Sequence, residues 1–215
     1  MKRMLALITA SILLVSLSAC GGGNEPPNSA VSTPAQSSGP TTAESQTPTD
    51  EPWFAEIKNA TVGDRVFMGT REGEPIKWQV LDKSDDYAVL ISQFVLERRV
   101  WANAADSTWM TCELRAYLNT QFLGAFSQEE IAKIDRVNES LVYLLSVEEA
   151  KQYFADDTAR TAYIYGEDAA GWWLVTQGMD STHVAYVQMT GAINTDGADF
   201  TLESGVRPVI RVNLT

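Results

Sequence analysis

Histidine and cysteine are almost missing from this 215-residue chain, which holds one histidine, His183, and two cysteines, Cys20 and Cys112. Cys112 stands alone in the second half of the chain, so a disulfide within a domain there is excluded, and so is a cysteine-rich zinc site. A zinc site built on His183 would have to draw its other ligands from carboxylates and Cys112. Positive charge is also scarce: 16 Lys and Arg stand against 28 Asp and Glu, for a net charge of -12. Phosphate backbones and anionic lipid surfaces repel such a chain, so no nucleic-acid partner is expected. No Gly-x-Ser-x-Gly nucleophile elbow occurs. No apolar run reaches the about 20 residues that a membrane-crossing helix needs.

The apolar run that does occur is shorter and sits at the start. Lys2 and Arg3 precede Leu5 to Leu17, the charge and length pattern of a secretory signal. The run ends in Leu17-Ser18-Ala19-Cys20, which resembles the bacterial lipobox. That resemblance implies cleavage after residue 19 and acylation of Cys20. The membrane is then a partner through lipid, and the protein sits on the outer face of the cytoplasmic membrane, or at the outer membrane in a diderm. Residues 1–19 carry two of the 16 basic residues and no acid, so the mature charge becomes 14 minus 28, or -14.

Residues 20–52 form the expected linker, rich in Gly, Asn, Pro, Ser and Thr, with Val31 its only large aliphatic residue. Too little apolar surface is present to offset chain entropy, so a disordered tether is expected. A flexible chain of this length spans roughly 30 Å end to end. The remaining residues, 53–215, are of a size for one globular domain held by its core alone.

Within that domain, Arg65–Gly69 is a strand candidate, and Ile76, Trp78 and Val80 alternate with polar residues as a half-buried strand does. Ser84-Asp85-Asp86 is a turn before the apolar strand 87–91. Leu114, Tyr117, Leu118 and Phe122 share one helical face and predict a helix over 108–122. Ser127-x-x-Glu130 and Ser146-x-x-Glu149 are capping boxes that open two further helices. Strands are predicted at 141–145, 171–174, 183–189 and 206–214. Strands, then helices, then strands indicate an α+β domain. The first and last strands are expected to pair, with the loops between 155 and 204 forming one exposed end.

Several motifs together resemble a family of bacterial surface domains of unknown function similar to the C-type-lectin-like fold of formylglycine-generating-type proteins. They are Trp78-Gln79-Val80-Leu81, Trp109-x-x-Cys112-x-x-Arg115-x-x-Leu118-Asn119, Leu144-Leu145-Ser146, Trp172-Trp173-Leu174 and Gly205-Val206-Arg207-Pro208. The resemblance spans residues 60–214 and implies a single lectin-like domain of small antiparallel sheets, short flanking helices and long loops. It makes Trp78, Trp109, Arg115, Asn119, Gly205, Arg207 and Pro208 structural. This chain departs from the family's pattern at Cys112, where serine is common, and at Val175 and Thr176, where arginine and serine are common. Copper chemistry of the oxidising relatives needs cysteines that this chain lacks.

Four residues, Trp172, Trp173, Tyr186 and His183, are the ligand-binding candidates. Trp172 and Trp173 are adjacent, so on a strand they point to opposite faces, one into the core; the other either joins Tyr163, Tyr165 or Tyr186 in a ligand platform or is covered in its turn by loops packed over the sheet. His183 is the fourth, although a lone histidine is more often structural than catalytic. No cofactor is expected. Asn194, Asp196 and Asp199 resemble part of a calcium loop, but the flanking helices and bidentate Glu of an EF-hand are missing and a simple Asp-Gly turn is the favoured account. Cys112 reads as a small buried residue inside a helix, and Arg207 as a partly buried arginine bonded to a carboxylate or loop carbonyls. These features favour a non-enzymatic module that binds a surface glycan or protein. A cell-wall hydrolase and a structural spacer are the alternatives.

Overall fold

The computed structural model describes residues 52–215; Cys20, the leader and all but the last residue of the expected linker lie outside the described residues. The domain opens with α1 (Pro52–Asn59), which buries Phe54 and Ile57. Lys83 closes this helix, its Nζ reaching the carbonyls of Ile57 at 3.0 Å, Lys58 at 2.5 Å and Ala60 at 2.5 Å. A cation among unpaired carbonyls at a helix C-terminus is the favourable end of the helix dipole. The sequence had not signalled this helix, since its closing residue comes from a strand 23 residues or more away.

An antiparallel meander follows: β1 (Arg65–Arg71), β2 (Glu74–Lys83) and β3 (Tyr87–Ser92). Then come β4 (Glu97–Arg99), α2 (Glu113–Leu118), a single 3-10 turn at Phe122–Ala125, α3 (Gln128–Ala132), β5 (Ile134–Asp135) and β6 (Val142–Tyr143). α2 is shorter than the predicted 108–122. Cys112 is not inside it but caps it, extended at φ -73° and ψ 153°, its Sγ accepting from the Arg115 amide at 3.4 Å. Both capping boxes are present, Ser127 with Glu130 ahead of α3 and Ser146 with Glu149 ahead of α4 (Val147–Tyr153). The chain continues through α5 (Asp157–Arg160), β7 (Ala162–Tyr163), β8 (Ala169–Ala170), β9 (Trp172–Gln177), β10 (His183–Val187), β11 (Ile193–Asp199), β12 (Ser204–Val206) and β13 (Val209–Asn213).

Mixed helix and strand with small, largely antiparallel sheets is thus the observed architecture. The first sheet has the order β1-β2-β3-β13-β5, with β6 also pairing β13. The last strand therefore inserts beside β3, in register Ile210 to Leu90, and does not pair with β1 as expected. The second sheet has the order β11-β10-β9-β12-β4. Three of its strands, β9, β10 and β11, run through the stretch between 155 and 204, which is thus a framework as well as a set of loops.

Each sheet is covered on both faces by two clusters of buried residues. One cluster gathers Trp78, Val80, Leu90 and Ile210 with Trp101, Leu114, Leu118 and Trp173. The other gathers Leu81, Val89, Ile91 and Val209 with Phe154, Trp172, Leu174 and Val187. Successive buried residues of β2, β3, β9 and β13, such as Val80 and Leu81 or Trp172 and Trp173, fall into different clusters, as the two-residue period of a strand requires. The domain is a double-cored sheet pair, and that decides the fate of its tryptophans.

Candidate functional site

Trp172 and Trp173 do point to opposite faces, but both faces are covered and both side chains are 0% exposed. Neither can act as a ligand platform, which corrects the expectation for these two residues. Their indole N–H groups are satisfied internally, Trp172 donating to the Arg160 carbonyl at 3.2 Å and Trp173 to the Arg99 carbonyl at 2.8 Å. Trp78 and Trp101 are also buried and donate to the carbonyls of Met68 at 2.8 Å and Leu174 at 3.1 Å. Buried indoles need such partners. Tyr186 is half-buried and edge-on to Trp173, with ring centroids 6.2 Å apart.

Two of the six tryptophans are only partly buried, Trp53 in α1 and Trp109 in the segment before α2, and Trp109 is the one that borders a hollow. It packs on Trp101, ring centroids 6.2 Å apart, and Trp101 in turn stacks on Phe200 at 6.3 Å. Trp109 and Val175 form the shared wall of two adjoining hollows. The larger, about 330 Å³, is bordered by Val137, Asn138, Tyr143, Leu144, Ser146 and Glu149. The smaller, about 210 Å³, is bordered by Ser107, Thr108, Gln177, Ser181, His183 and Phe200, among others. No lysine or arginine borders either one. Val175 is one of the three positions where this chain departs from the resembled pattern, and it places an apolar side chain between the hollows where an arginine would add a cation. Thr176, next to it, has a structural task, its hydroxyl accepting from the Val147 amide at 2.9 Å.

Sequence-local features build the rim of the larger hollow. Asn138 and Glu139 have φ of 45° and 61°, and Val137 and Ser140 exchange backbone bonds of 2.9 and 3.0 Å around them. Two successive positive φ values make a tight mirror-image turn in which Asn is well tolerated. Arg115 secures that turn, giving Nε to Ser140 Oγ at 2.8 Å and Nη2 to the Glu139 carbonyl at 2.9 Å. Asn119 holds the next residues: its Oδ1 accepts from the Leu141 amide at 2.7 Å, and its Nδ2 donates to the Val142 carbonyl at 2.8 Å. The spacing Cys112-x-x-Arg115-x-x-x-Asn119 thus ties α2 to the segment that carries Asn138. Tyr143 is buried, and burial, followed by the nearby Glu149 charge, holds its phenol well above the ordinary range. It is a neutral hydroxyl at any working pH.

His183 borders the smaller hollow and has the orienting carboxylate that the sequence reading did not assign. Its Nδ1 lies 2.7 Å from Asp180 Oδ1 and 3.2 Å from Thr182 Oγ1. The bond to His183, helped by the Thr182 amide and hydroxyl, holds the Asp180 carboxyl down to about 2. Asp180 lies only three residues upstream, so the pair was legible as Asp180-x-x-His183. Nε2 has no hydrogen-bond partner among the described residues, and no hydroxyl is engaged as a nucleophile beside it.

The calcium candidates do not converge. Asn194 and Asp196 lie in strand β11, paired with β10 across a bulge, and Asn194 Oδ1 accepts from the Gly197 amide at 2.9 Å. Asp199 caps its own turn, accepting from Thr201 N at 2.8 Å and Oγ1 at 2.7 Å. Among the described residues no three His, Cys, Asp or Glu are grouped to hold a metal ion. The glycine of Asp196-Gly197 serves a bulge with φ of 86°, where an added Cβ would meet the Val184 backbone at 2.7 Å.

The remaining expected structural residues lie in the frame. Gly205 is where β12 passes Gly171, and an added Cβ would meet the Gly171 carbonyl at 2.4 Å and Val95 Cγ1 at 2.7 Å. The Pro208 carbonyl accepts from Ser92 N at 2.9 Å, joining β3 to the link between β12 and β13. Arg207 is more deeply enclosed than expected, at 2% exposure, with no carboxylate partner. Its Nε and Nη2 both donate to the Ser92 carbonyl, at 3.1 and 3.0 Å, and its guanidinium lies 4.9 Å from the Trp172 ring. Burial pushes its pKa down to about 9. That depression reflects the cost of enclosing the charge; a guanidinium with two hydrogen bonds and an aromatic face stays protonated near neutral pH.

Among the described residues no helix is long and apolar enough to cross a membrane. Neither a curated protein nor a solved structure matches the chain. A family match does cover most of the described residues, from before β3 to the end of β13, in two overlapping segments, residues 85–142 and 137–214. On that match the chain belongs to the family described as Domain of unknown function (DUF6273).

Proposed function

We propose that this protein is a lipid-anchored extracytoplasmic module that binds a glycan in the groove beside Trp109 and carries out no chemistry of its own. One observation carries the reading: a half-exposed indole stands between two hollows whose rims offer amides and hydroxyls but no cation. A sugar ring presents apolar C–H faces and hydroxyl edges, and an aromatic face with neutral hydrogen-bonding groups around it is the matching surface. Asn138, Gln177, Ser107, Thr108 and Ser181 supply both donors and acceptors. A phosphorylated or strongly anionic ligand finds nothing to pair with there. A C-type-lectin-like ancestry is consistent with small antiparallel sheets, short helices and long connections, and is part of the same proposal.

The leader and the Leu17-Ser18-Ala19-Cys20 motif support acylation of Cys20 and placement on the outer face of the cytoplasmic membrane, or at the outer membrane in a diderm. A tethered module meets its ligand at high effective concentration, so weak intrinsic affinity is enough. The experiment is titration of the full chain with soluble cell-wall glycan fragments, followed by tryptophan fluorescence. Binding that disappears in Trp109→Ala, with the melting transition still cooperative, is the expected result. Equal binding by that variant, or no binding to any glycan tested, would overturn the reading.

The Asp180–His183 pair supports one alternative, a wall hydrolase using His183 as general base on a bound water. Release of reducing ends from wall glycan by the full chain, lost in His183→Gln, would establish it.

A further inference from the structure

A third hollow, of about 360 Å³, lies between β4 and α2 and is charged in both senses. Its volume falls within the about 300–1,000 Å³ of small-molecule sites. Arg99 is fixed at its wall by two contacts. Its guanidinium covers the Tyr117 ring with 3.4 Å to the centroid, and its Nε donates to Glu97 Oε2 at 2.8 Å. Tyr117 donates its hydroxyl to the other oxygen of the same carboxylate, Glu97 Oε1, at 2.6 Å. Glu97 is thereby fully engaged, and Arg99 keeps the Nη edge of its fork for something else. Burial works against the Arg99 charge, yet Glu97 and Tyr117 outweigh it and hold the pKa above its ordinary value. A guanidinium held in one orientation loses little freedom when it pairs with a planar carboxylate.

The opposite sign is present at the same hollow. Glu113 and Glu203 border it, and the side chains of Glu203 and Arg98 make no ion pair or hydrogen bond among the described residues. Glu113 is partly engaged, accepting from the Asn103 amide at 3.0 Å. A simple anion would meet these carboxylates in a chain of net charge -12, and a simple cation would meet Arg98 and Arg99. A neutral molecule carrying both charges a few bonds apart meets neither objection. We propose that this hollow binds a small zwitterion, a free amino acid or the end of a short peptide, with its carboxylate on Arg99 and its ammonium between Glu113 and Glu203. This site is separate from the Trp109 groove and does not depend on the glycan reading.

Calorimetric titration of the full chain tests it, with alanyl-alanine in its L,L and D,D forms as the probe. The N-acetyl and carboxamide derivatives, sodium acetate and ethylamine form the comparison. Saturable binding of at least one dipeptide is expected, weakened about tenfold or more by capping either end. Arg99→Gln should lose it to the same extent. Because Arg99 also supports Tyr117, the exposed changes Arg98→Gln and Glu203→Gln accompany it, each expected to weaken binding while leaving the Tm unchanged. Trp109→Ala should bind the dipeptide as the parent does. Absence of binding by both dipeptides, equal binding of the capped forms or of acetate alone, or indifference to all three charge changes would overturn the proposal.

Discussion

Replacing Trp173 by alanine separates a packing role from a ligand role by magnitude. The side chain is wholly enclosed, so truncation opens a cavity that the surrounding sheet can fill only in part. Such Trp or Phe to Ala changes cost about 3–5 kcal/mol. The variant also strips the Arg99 carbonyl of the indole donor that now reaches it at 2.8 Å. An orphaned carbonyl adds about 1–3 kcal/mol. Small domains have about 5–15 kcal/mol in all, so Trp173→Ala stands at the edge of unfolding. Trp109→Ala removes a half-exposed ring and should cost only about 1–2 kcal/mol. Urea denaturation followed by far-UV circular dichroism measures both, with glycan binding read on the same samples. A loss under about 1 kcal/mol in Trp173→Ala would refute the two-core argument. So would a Trp173→Ala that folds normally but no longer binds.

Three further outcomes are expected. Lys83→Met should destabilise the domain by about 1–2 kcal/mol, because three helix-end carbonyls lose their common cation, and hydrogen exchange should rise first in α1. The folded pKa of Asp180 lies at about 2, below its ordinary value of 3.8, so its contribution is complete above the unfolded value and disappears as pH falls through the folded one; in His183→Gln the carboxyl titration read by NMR should move up toward 3.8. Burial raises the Cys112 thiol to about 11, so at pH 8 a thiol reagent should label the folded protein only as fast as it unfolds, and a rapid stoichiometric reaction would contradict the enclosed cap.

What the sequence determined by itself was whatever a few neighbouring residues decide. Ser127 with Glu130 and Ser146 with Glu149 are hydrogen-bonded within one turn, and each opens its helix as read. The alternation of Ile76, Trp78 and Val80 marked a strand, and the positions of Leu114, Leu118 and Phe122 marked a buried face, because period is a local property. Opposite directions for Trp172 and Trp173 followed from the same geometry. Whether anything lay above each face did not, since that depends on segments brought from far along the chain. Phe154 and Ala162 cover one side, while Trp101 and Phe200 join the cluster on the other. The tertiary structure also decided that Asn194-Thr195-Asp196-Gly197 is a bulged strand, because β10 supplies its partners. It joined Glu97 to Tyr117 across 20 residues, and it left Trp109, read as framework, as the half-exposed indole between two hollows. Local bonds are written in adjacent residues; burial and the meeting of distant charges exist only once the sheets have packed.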